Sequence, residues 1–446
     1  MPEPVDDPYA GYNRVPRPMR PGSAERRLRI LFLYSRPPLP MTRGDELTVS
    51  HLLEFLHARG HAVDLVTLCD PKAPPLRPEH RAWLESRCRS VAFVPHGRLE
   101  GLVGALGGAL KGLPAQIGYL RSQKQEKRVQ GLLEAESYDL AYAYYIRSAE
   151  ALRPAMANGR AKATFLALQL SQTLNTARLA ASARTLAERL FYRFESRRMG
   201  AYEAKVWQGV SRVVLIGKKD VAAIADACGR HGQPPIGNVV MGPHGVDTEQ
   251  FKPGDPALVE RKSVVMSGVM RYAPNVEAAL WFAREVWPRV RAVHPDARFT
   301  VVGRDPVPAL LALDGKDGIH VTGTVDDPAA WIGRAEVAVA PIRAAAGLQN
   351  KLLEAMAMAR PVVATPVANE GIGAEPGRDL LVVDRAEDMA AAVVRLFGDA
   401  AERERLGANA RAFIERHWTW EGPFLHLERA FVEAVEEGEA RGARAA

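Results

Sequence analysis

The chain has 446 residues, of which 47% are hydrophobic and 25% charged, and its formal net charge is +7. This length predicts two domains, and the composition excludes a fibrous or largely disordered protein. Three widely spaced cysteines, Cys69, Cys88 and Cys228, form neither a disulfide framework nor a zinc pattern, so we expect a reducing, cytoplasmic compartment. The basic residues lie along helices that also carry Glu, which favours solvated helix faces over a nucleic-acid partner.

The first 27 residues are rich in Pro and Arg and lack the apolar core of a signal peptide, so 1–27 is predicted to be a flexible leader. No run approaches the roughly 18 apolar residues that a membrane-spanning helix needs. We therefore expect a cytoplasmic protein, with peripheral contact at the inner face of the membrane left open.

Strands and helices alternate from residue 28 onward. The apolar run Leu28 to Tyr34 predicts a strand buried on both faces, a helical pattern follows, and Ala62 to Leu68 predicts the next strand. Further strands are predicted at 91–94, 139–144, 163–168 and 212–216, with one long helix over 178–207. This pattern predicts a first Rossmann-like lobe over 28–232.

The interval 231–262 is rich in Gly and Pro and predicts a hinge that contains one short strand. Alternation then restarts, with strands predicted at 263–267, 298–302, 320–322, 337–340, 361–365 and 379–383. A second lobe is expected over 233–418, followed by a C-terminal helix and tail over 419–446. The sequence thus predicts an α/β protein with two doubly wound parallel-sheet lobes that face a cleft, where a ligand is expected.

The segment 346–365, AGLQNKLLEAMAMARPVVAT, predicts a Gly-containing loop, a helix and a strand. Unpaired N–H groups at the start of such a helix suit a diphosphate, and Gly permits close backbone approach. Lys351 adds a positive charge, and the carboxylate of Glu354 could accept both hydroxyls of a ribose. The candidate donor-binding residues here are Gly347, Leu348, Gln349, Asn350 and Glu354. The alternative is an ordinary amphipathic helix with a surface Lys and Glu.

This segment resembles a known family. Glu354-Ala355-Met356-Ala357 followed by Pro361 to Thr365 is similar to the donor-binding helix of GT-B glycosyltransferases of family 4, in a variant tied to bacterial exopolysaccharide and cell-surface sugar transfer. Segments 244–253, 267–275, 302–304 and 321–325 resemble further family motifs in the same order. The resemblance is strong over 238–418 and weaker over 28–69. It implies a GT-B fold and a nucleotide-sugar donor, a UDP-sugar being favoured, bound as substrate with no permanent cofactor.

The departures from the family pattern concern charge at the donor site. Family members carry two Glu separated by seven residues, and Ala346 stands at the first position. The Arg and Lys of the family's phosphate loop are also displaced. Arg271 and Lys351 are therefore the candidate catalytic cations, although Arg271 could equally be a surface residue. By resemblance, Gly268 belongs to the phosphate loop and Val325 lies near the nucleobase.

Arg43-Gly44-Asp45 follows the first strand, where family members place a Gly-rich loop near the diphosphate and acceptor. This resemblance makes Gly44 a candidate donor contact and Arg43 a candidate acceptor contact. The alternative is a turn in which Asp45 caps the next helix.

Two further polar positions are candidate acceptor contacts. Gln169, with Ser171, Gln172 and Asn175, follows a predicted strand, and these residues could instead cap the next helix. His244 could contact a phosphate or the acceptor, or could be a satisfied hinge residue.

No metal constellation is present, and Asp326-Asp327 is expected to cap a helix that begins near Pro328. Residues 99–128 join an apolar, Gly-rich stretch to a basic one. Members of the resembled family often dock on membranes through this part of the first lobe. The alternative is a core-facing helix pair with a solvated end.

The predicted function is a glycosyltransferase of the hexosyltransferase type in glycan or glycoconjugate biosynthesis. It would move a sugar from a nucleotide-sugar donor to the hydroxyl of a glycan, lipid-linked or small-molecule acceptor, by resemblance with retention. The alternatives are a GT-B sugar-nucleotide epimerase and a non-catalytic GT-B-like binding subunit. A nicotinamide dehydrogenase is disfavoured, because the turns after Tyr34 and Ser267 lack Gly-x-Gly-x-x-Gly.

Overall fold

The computed structural model describes residues 15–19, 21–182, 185–242, 244–343 and 348–445. The chain forms two compact units. The first unit ends at Pro243 and takes in Pro423–Ala446, and the second unit comprises His244–Gly422. Within the described parts of the chain, no helix is both long and apolar enough to cross a bilayer.

The first unit contains a seven-stranded parallel sheet. Its strands are β1 (Arg29–Tyr34), β2 (Ala62–Cys69), β3 (Ser90–Pro95), β4 (Tyr138–Tyr144), β5 (Ala161–Gln169), β6 (Arg212–Leu215) and β7 (Val239–Met241). Their order is β3-β2-β1-β4-β5-β6-β7, with Ile30 of β1 opposite both Val63 and Leu140. The central strands are buried along nearly their whole length, as expected when helices cover both faces of a parallel sheet.

Helices connect these strands. They are α1 (Gly44–Ala58), α2 (Pro78–Arg87), α3 (Arg98–Leu110), α4 (Ala115–Leu120), α5 (Gln123–Ala135), α6 (Ala149–Asn158), α7 (Gln172–Ser182), α8 (Leu186–Val206) and α9 (Lys218–Arg230). The single helix predicted over 178–207 is therefore wrong. A capping box starts α8, because the Thr185 hydroxyl accepts from the Glu188 amide while the Glu188 carboxylate accepts from the Thr185 amide.

The second unit contains a six-stranded parallel sheet in the order β10-β9-β8-β11-β12-β13. The strands are β8 (Glu260–Ser267), β9 (Arg298–Val302), β10 (Ile319–Val321), β11 (Ala335–Ala340), β12 (Val362–Ala364) and β13 (Leu381–Val382). The helices are α10 (Ala273–Trp281), α11 (Trp287–Val293), α12 (Pro308–Leu311), α13 (Pro328–Arg334), α14 (Asn350–Ala357), α15 (Pro366–Asn369), α16 (Ala386–Gly398) and α17 (Ala400–His417), with a π-helical turn over Phe282–Val286. Asp327 caps α13 as predicted, by accepting from the Ala329 amide.

Both ends of the second unit differ from the sequence-based boundaries. Strand β7 pairs with β6 in the first sheet, so the first unit extends beyond residue 232 to Pro243. The last helix, α18 (Glu421–Ala445), returns to the first unit rather than forming a separate terminal element. There the Glu428 carboxylate accepts from Arg59 and contacts Nε2 of His61 at 2.7 Å. An amphipathic pattern identifies such a helix but does not specify which core it covers.

Candidate functional site

Two glycines bring the ends of strands β8 and β9 together in the second unit. Gly268 follows β8 with φ +152°, and Gly303 follows β9 with φ +149°. A Cβ on Gly303 would lie 1.7 Å from the carbonyl oxygen of Gly268, so no larger residue fits. A Cβ on Gly268 would lie 3.3 Å from Cε of Lys351. The backbone after β8 therefore lies directly against the first turn of α14.

This contact lies at the topological switch point of the second sheet. The chain runs outward from β8 to β10 on one side, and β11 starts the other side. Ligands of open α/β sheets bind outside the carboxyl ends of the two strands that flank such a point. Gly268 follows one of these strands and α14 follows the other, so the fold places both at the expected ligand position.

The first turn of α14 has no side-chain cap. Its N-cap residue, Gln349, makes no capping hydrogen bond, and its Oε1 accepts from Nζ of Lys351 at 2.9 Å. The first backbone N–H groups of the helix are thus without a side-chain acceptor in the described residues, and they carry the positive end of the helix dipole. A phosphate oxygen would satisfy them.

Lys351 and Glu354 form a half-buried pair on α14. Burial lowers the pKa of Lys351 to about 8, and the nearby Glu354 carboxylate only partly offsets this effect. Burial also raises the pKa of Glu354 to about 7, again against the opposing charge of Lys351. The Glu354 carboxylate has no hydrogen-bond donor among the described side chains. Two charged groups whose pKa values are shifted this far by burial are typical of a ligand-binding site.

His244 belongs to the same region. Its Nε2 lies 2.8 Å from Oδ1 of Asn350, and its ring packs edge-on against Trp418 and Trp420. Burial lowers the pKa of His244, which keeps the imidazole neutral, and Nδ1 is buried without a partner in the described chain. Asn350, predicted to contact the donor, thus has its side chain engaged with His244. The two tryptophans could not be predicted, because they lie far away in sequence.

Three other predicted donor-site residues have different surroundings. Arg271 is exposed, and its Nε lies 3.5 Å from Oδ2 of Asp305. Val325 and Leu348 are partly buried against the core of the second unit. Gly347 and Ala346 lie outside the described residues.

In the first unit, Arg43 is the exposed N-cap residue of α1, and Gly44 is its first residue. The alternative in which Asp45 caps this helix is wrong, because Asp45 lies inside the first turn. Its Oδ2 accepts from the Tyr34 hydroxyl at 2.8 Å and lies 3.6 Å from Nε of Arg36. Asp45 therefore belongs to a polar cluster at the end of β1.

The polar residues after β5 divide into two groups. Ser171 caps α7, because its Oγ accepts from the Leu174 amide and donates to the buried Glu203 carboxylate, which also accepts from the Thr173 amide. Gln169 has no such role. It is 2% exposed, its φ is +67°, and neither side-chain amide atom has a partner among the described residues. Gln169, one of the predicted acceptor contacts, is thus buried, and the hydrogen-bonding groups of its side chain are unsatisfied.

The exposure of helix α3 bears on whether residues 99–128 dock on a membrane or face the core. Five apolar side chains on this helix are between 55% and 91% exposed: Leu99, Leu102, Val103, Leu106 and Leu110. The interpretation as a core-facing helix is therefore wrong for α3.

In the described residues, no cluster of three or more His, Cys, Asp or Glu side chains could hold a metal ion.

Comparison with known proteins gives related sequences and folds. Residues 261–399 match the family model for Glycosyl transferases group 1. An uncharacterized 44.6 kDa protein in the cps region of Klebsiella pneumoniae is 21% identical over 401 residues, which cover 87% of this chain and 96% of that protein. Sucrose-phosphate synthase from Thermosynechococcus elongatus is 18% identical with a TM-score of 0.60, over 91% of this chain and 98% of that one.

HepE from Anabaena, solved in complex with UDP, has a TM-score of 0.60 at 15% identity, over 92% of this chain and all of that one. The two parallel sheets and these neighbours define the fold: the chain has the GT-B fold, as predicted. The segment 261–399 carries a glycosyl transferases group 1 domain, and the predicted resemblance to GT-B glycosyltransferases is thereby confirmed.

Proposed function

We propose that the protein is a glycosyltransferase that moves a sugar from a nucleotide-sugar donor to an acceptor hydroxyl. The observation that carries this proposal is the half-buried pair of Lys351 and Glu354 beside Gly268, at the switch point of the second sheet. Apart from each other, neither side chain has an oppositely charged partner among the described residues of the second unit. A ligand with a diphosphate and a ribose would match both.

Each residue would act on a different part of the donor. As the glycosidic bond breaks, negative charge grows on the leaving diphosphate, and fixed positive charge there stabilises the transition state. Lys351 and the backbone from Leu348 to Asn350, where α14 begins, would supply this charge. Gly347 keeps the role that the sequence predicts for it, close approach of the backbone to the donor. Glu354 would accept the ribose hydroxyls, and Val325 would lie near the base. Arg271 is a second candidate cation and would have to leave Asp305 first.

A UDP-sugar is the favoured donor, because HepE, which shares the fold, is also described in complex with UDP-glucose. By family resemblance, transfer would retain the anomeric configuration, with the donor phosphate helping to deprotonate the acceptor. Arg43, Gln169 and His244 remain the proposed acceptor contacts, and Gly44 a contact to the donor. The product would belong to a glycan or glycoconjugate.

The donor site is tested by binding. We expect one nucleotide family among UDP-, GDP-, dTDP- and ADP-glucose to raise the melting temperature, because a ligand of the native state stabilises it by mass action. Glu354→Gln and Lys351→Met should each weaken binding of that nucleotide at least tenfold by calorimetry. Glu404→Gln and Lys316→Met change exposed residues of the same unit and should leave the affinity unchanged.

The ribose contact has its own control. Wild type should prefer the ribonucleoside diphosphate to its 2′-deoxy form by roughly tenfold, since a carboxylate hydrogen bond to a hydroxyl is worth about 1.5–3 kcal/mol. Glu354→Gln should largely lose this preference. If no nucleotide sugar stabilises wild type at millimolar concentration, the donor-site proposal fails, and a non-catalytic subunit becomes the better explanation.

A membrane surface is the proposed partner of the first unit. Besides the exposed face of α3, helix α8 exposes Leu186, Leu190, Phe191 and Phe194, each by more than half. Helix α8 contacts the segment that follows α3, where the Ala115 amide at the start of α4 donates to Glu195 and Arg198 donates to the Leu113 carbonyl. Arg189, Arg193 and Arg197 are also exposed on α8. Apolar side chains beside a row of cations suit an anionic lipid bilayer.

A further inference from the structure

The first sheet has a switch point of its own. Strand β1 starts one half of the sheet and β4 starts the other, and these two strands are neighbours. Three adjacent strands end there, and polar residues lie at or just after the end of each. Arg36 follows β1, Tyr145 and Arg147 follow β4, and Gln169 ends β5. The same rule that places the donor in the second unit predicts a ligand at this position.

The backbone at these strand ends is strained. Tyr145 has φ +75° and Gln169 has φ +67°, a region that costs a residue with a side chain about 1 kcal/mol or more. Both conformations are held by hydrogen bonds between neighbouring strands: Tyr145 N donates to Ala167 O, and Ile216 N donates to Gln169 O, each at 2.8 Å. Strain of this kind is retained where it positions side chains for function.

The buried side chain of Gln169 has no hydrogen-bond partner among the described residues, although buried amides are normally hydrogen-bonded. Its amide has two donors and an acceptor, all enclosed by protein, and leaving such a group unsatisfied costs about 1–3 kcal/mol. The neighbouring Gln172 amide, in contrast, donates to the Tyr145 hydroxyl at 2.8 Å. The Gln169 amide at the end of β5 therefore has hydrogen-bonding groups that no described residue uses.

The two arginines of this cluster differ in how their charges are balanced. Arg36 lies between two carboxylates, with Nε 3.6 Å from Asp45 and NH1 3.9 Å from Glu46. Arg147 lies over the ring of Tyr145 at 4.9 Å, and among the described residues it donates only to the neutral Gln116 side chain, at 3.4 Å. Arg147 makes no salt-bridge contact in the described part of the chain, although the charge of Asp45 acts on it from a distance. Burial lowers the pKa of Arg147, and the negative charge of Asp45, which Arg36 already contacts, offsets this effect only in part.

We propose that Arg147 and Gln169 bind an anionic group, a phosphate or a carboxylate, carried by the acceptor sugar. A guanidinium offers two parallel N–H donors to such a group, and the Gln169 amide adds a third. Arg36 and Asp45 neutralise each other at the edge of this site. The inference rests on the proposed glycosyltransferase function, since it names the acceptor that this function requires.

The test compares three probes that differ in charge: α-D-glucose 1-phosphate, D-glucuronate and methyl α-D-glucoside. Binding of each to the whole protein is measured by calorimetry without donor. At least one anionic probe should bind wild type tenfold or more tightly than the neutral glucoside, and the better anion tells phosphate from carboxylate. Arg147→Met should remove this preference, whereas Arg147→Lys should keep part of it.

Two further variants make the result independent of folding. Gln169→Glu keeps the shape of the side chain, adds a negative charge and should abolish binding of the anionic probe. Arg128→Met removes an exposed charge from the same unit and should change nothing. Equal affinity for neutral and anionic probes, no binding of any anion at millimolar concentration, or unchanged binding in Arg147→Met with a native melting temperature would each overturn the proposal. UDP binding, measured in parallel, depends on Lys351 and Glu354, so failure of the donor site is recognised separately.

Discussion

At the scale of single residues, the donor site combines glycines that allow close approach with charges that are held unfavourably. Gly268 and Gly303 can be identified from sequence because their positions after strands fit a recurring pattern. Lys351 and Glu354 were likewise predictable from their spacing on one helix. Their shifted pKa values were not, because burial depends on the packing of the whole unit.

These shifts predict how stability depends on pH. The pKa of Glu354 rises from 4.5 to about 7 on folding, so the folded protein binds more protons between these values. Its stability therefore falls as the pH rises through this window and stays reduced above it. We expect Glu354→Gln to stabilise the ligand-free protein at pH 8 by about 1 kcal/mol, allowing for partial exposure, or roughly 2–4 °C.

The measurement is thermal unfolding of wild type and Glu354→Gln at pH 5 and pH 8, with Glu404→Gln as the exposed control. The gain should be present at pH 8 and largely absent at pH 5, where Glu354 is protonated. A loss of stability at pH 8 would mean that Glu354 supports the fold, and its assignment to ligand binding would lose its physical basis.

The acceptor-side residues were only partly predictable. Gln169 was singled out because a polar side chain follows an apolar strand, whereas Arg147 gave no local signal. Arg36 contacts the carboxylates of Asp45 and Glu46, whereas Arg147 lies over the ring of Tyr145. These contacts join residues that are brought together only by the fold. Sequence patterns report local periodicity and do not contain this pairing.

At the scale of elements, the strands were the most predictable feature. Buried parallel strands are continuous apolar runs, and each predicted run contains or overlaps an observed strand. The break between α7 and α8 was missed, although Thr185 and Glu188 carry the spacing of a capping box. Helix α3 shows a different difficulty, because an apolar helix face has the same sequence pattern whether it meets a core or a membrane.

The exposed face of α3 predicts lipid binding. We expect the protein to sediment with vesicles that contain phosphatidylglycerol and much less with pure phosphatidylcholine vesicles. Leu106→Gln combined with Leu110→Gln should reduce binding at least tenfold, with no loss of melting temperature because both side chains are already exposed. Gln130→Ala, which changes an exposed residue of α5, serves as control. Unchanged sedimentation of the double variant would contradict a membrane role for α3.

At the scale of the whole molecule, the sequence predicted two Rossmann-like sheets, and the GT-B fold is confirmed. The place of the last helix was not predictable. Helix α18 completes the first unit, where the ring of Phe431 packs 4.8 Å from that of Phe165 and Glu439 pairs with Arg26 and Lys162. The first unit is thus built from two separate stretches of chain, one that ends at Pro243 and one that contains α18. Side chains from both stretches pack together in its core.

The central claim concerns the reaction, and it is tested most directly by following the donor that binds most tightly, such as UDP-glucose, by proton NMR in the presence of enzyme. A glycosyltransferase without its acceptor should slowly release UDP and free sugar, whose first-formed anomer matches the donor if transfer retains configuration. Glu354→Gln should abolish this release. Conversion of the donor into an epimeric nucleotide sugar, or tight binding with no turnover when candidate acceptors are added, would contradict the proposed glycosyl transfer.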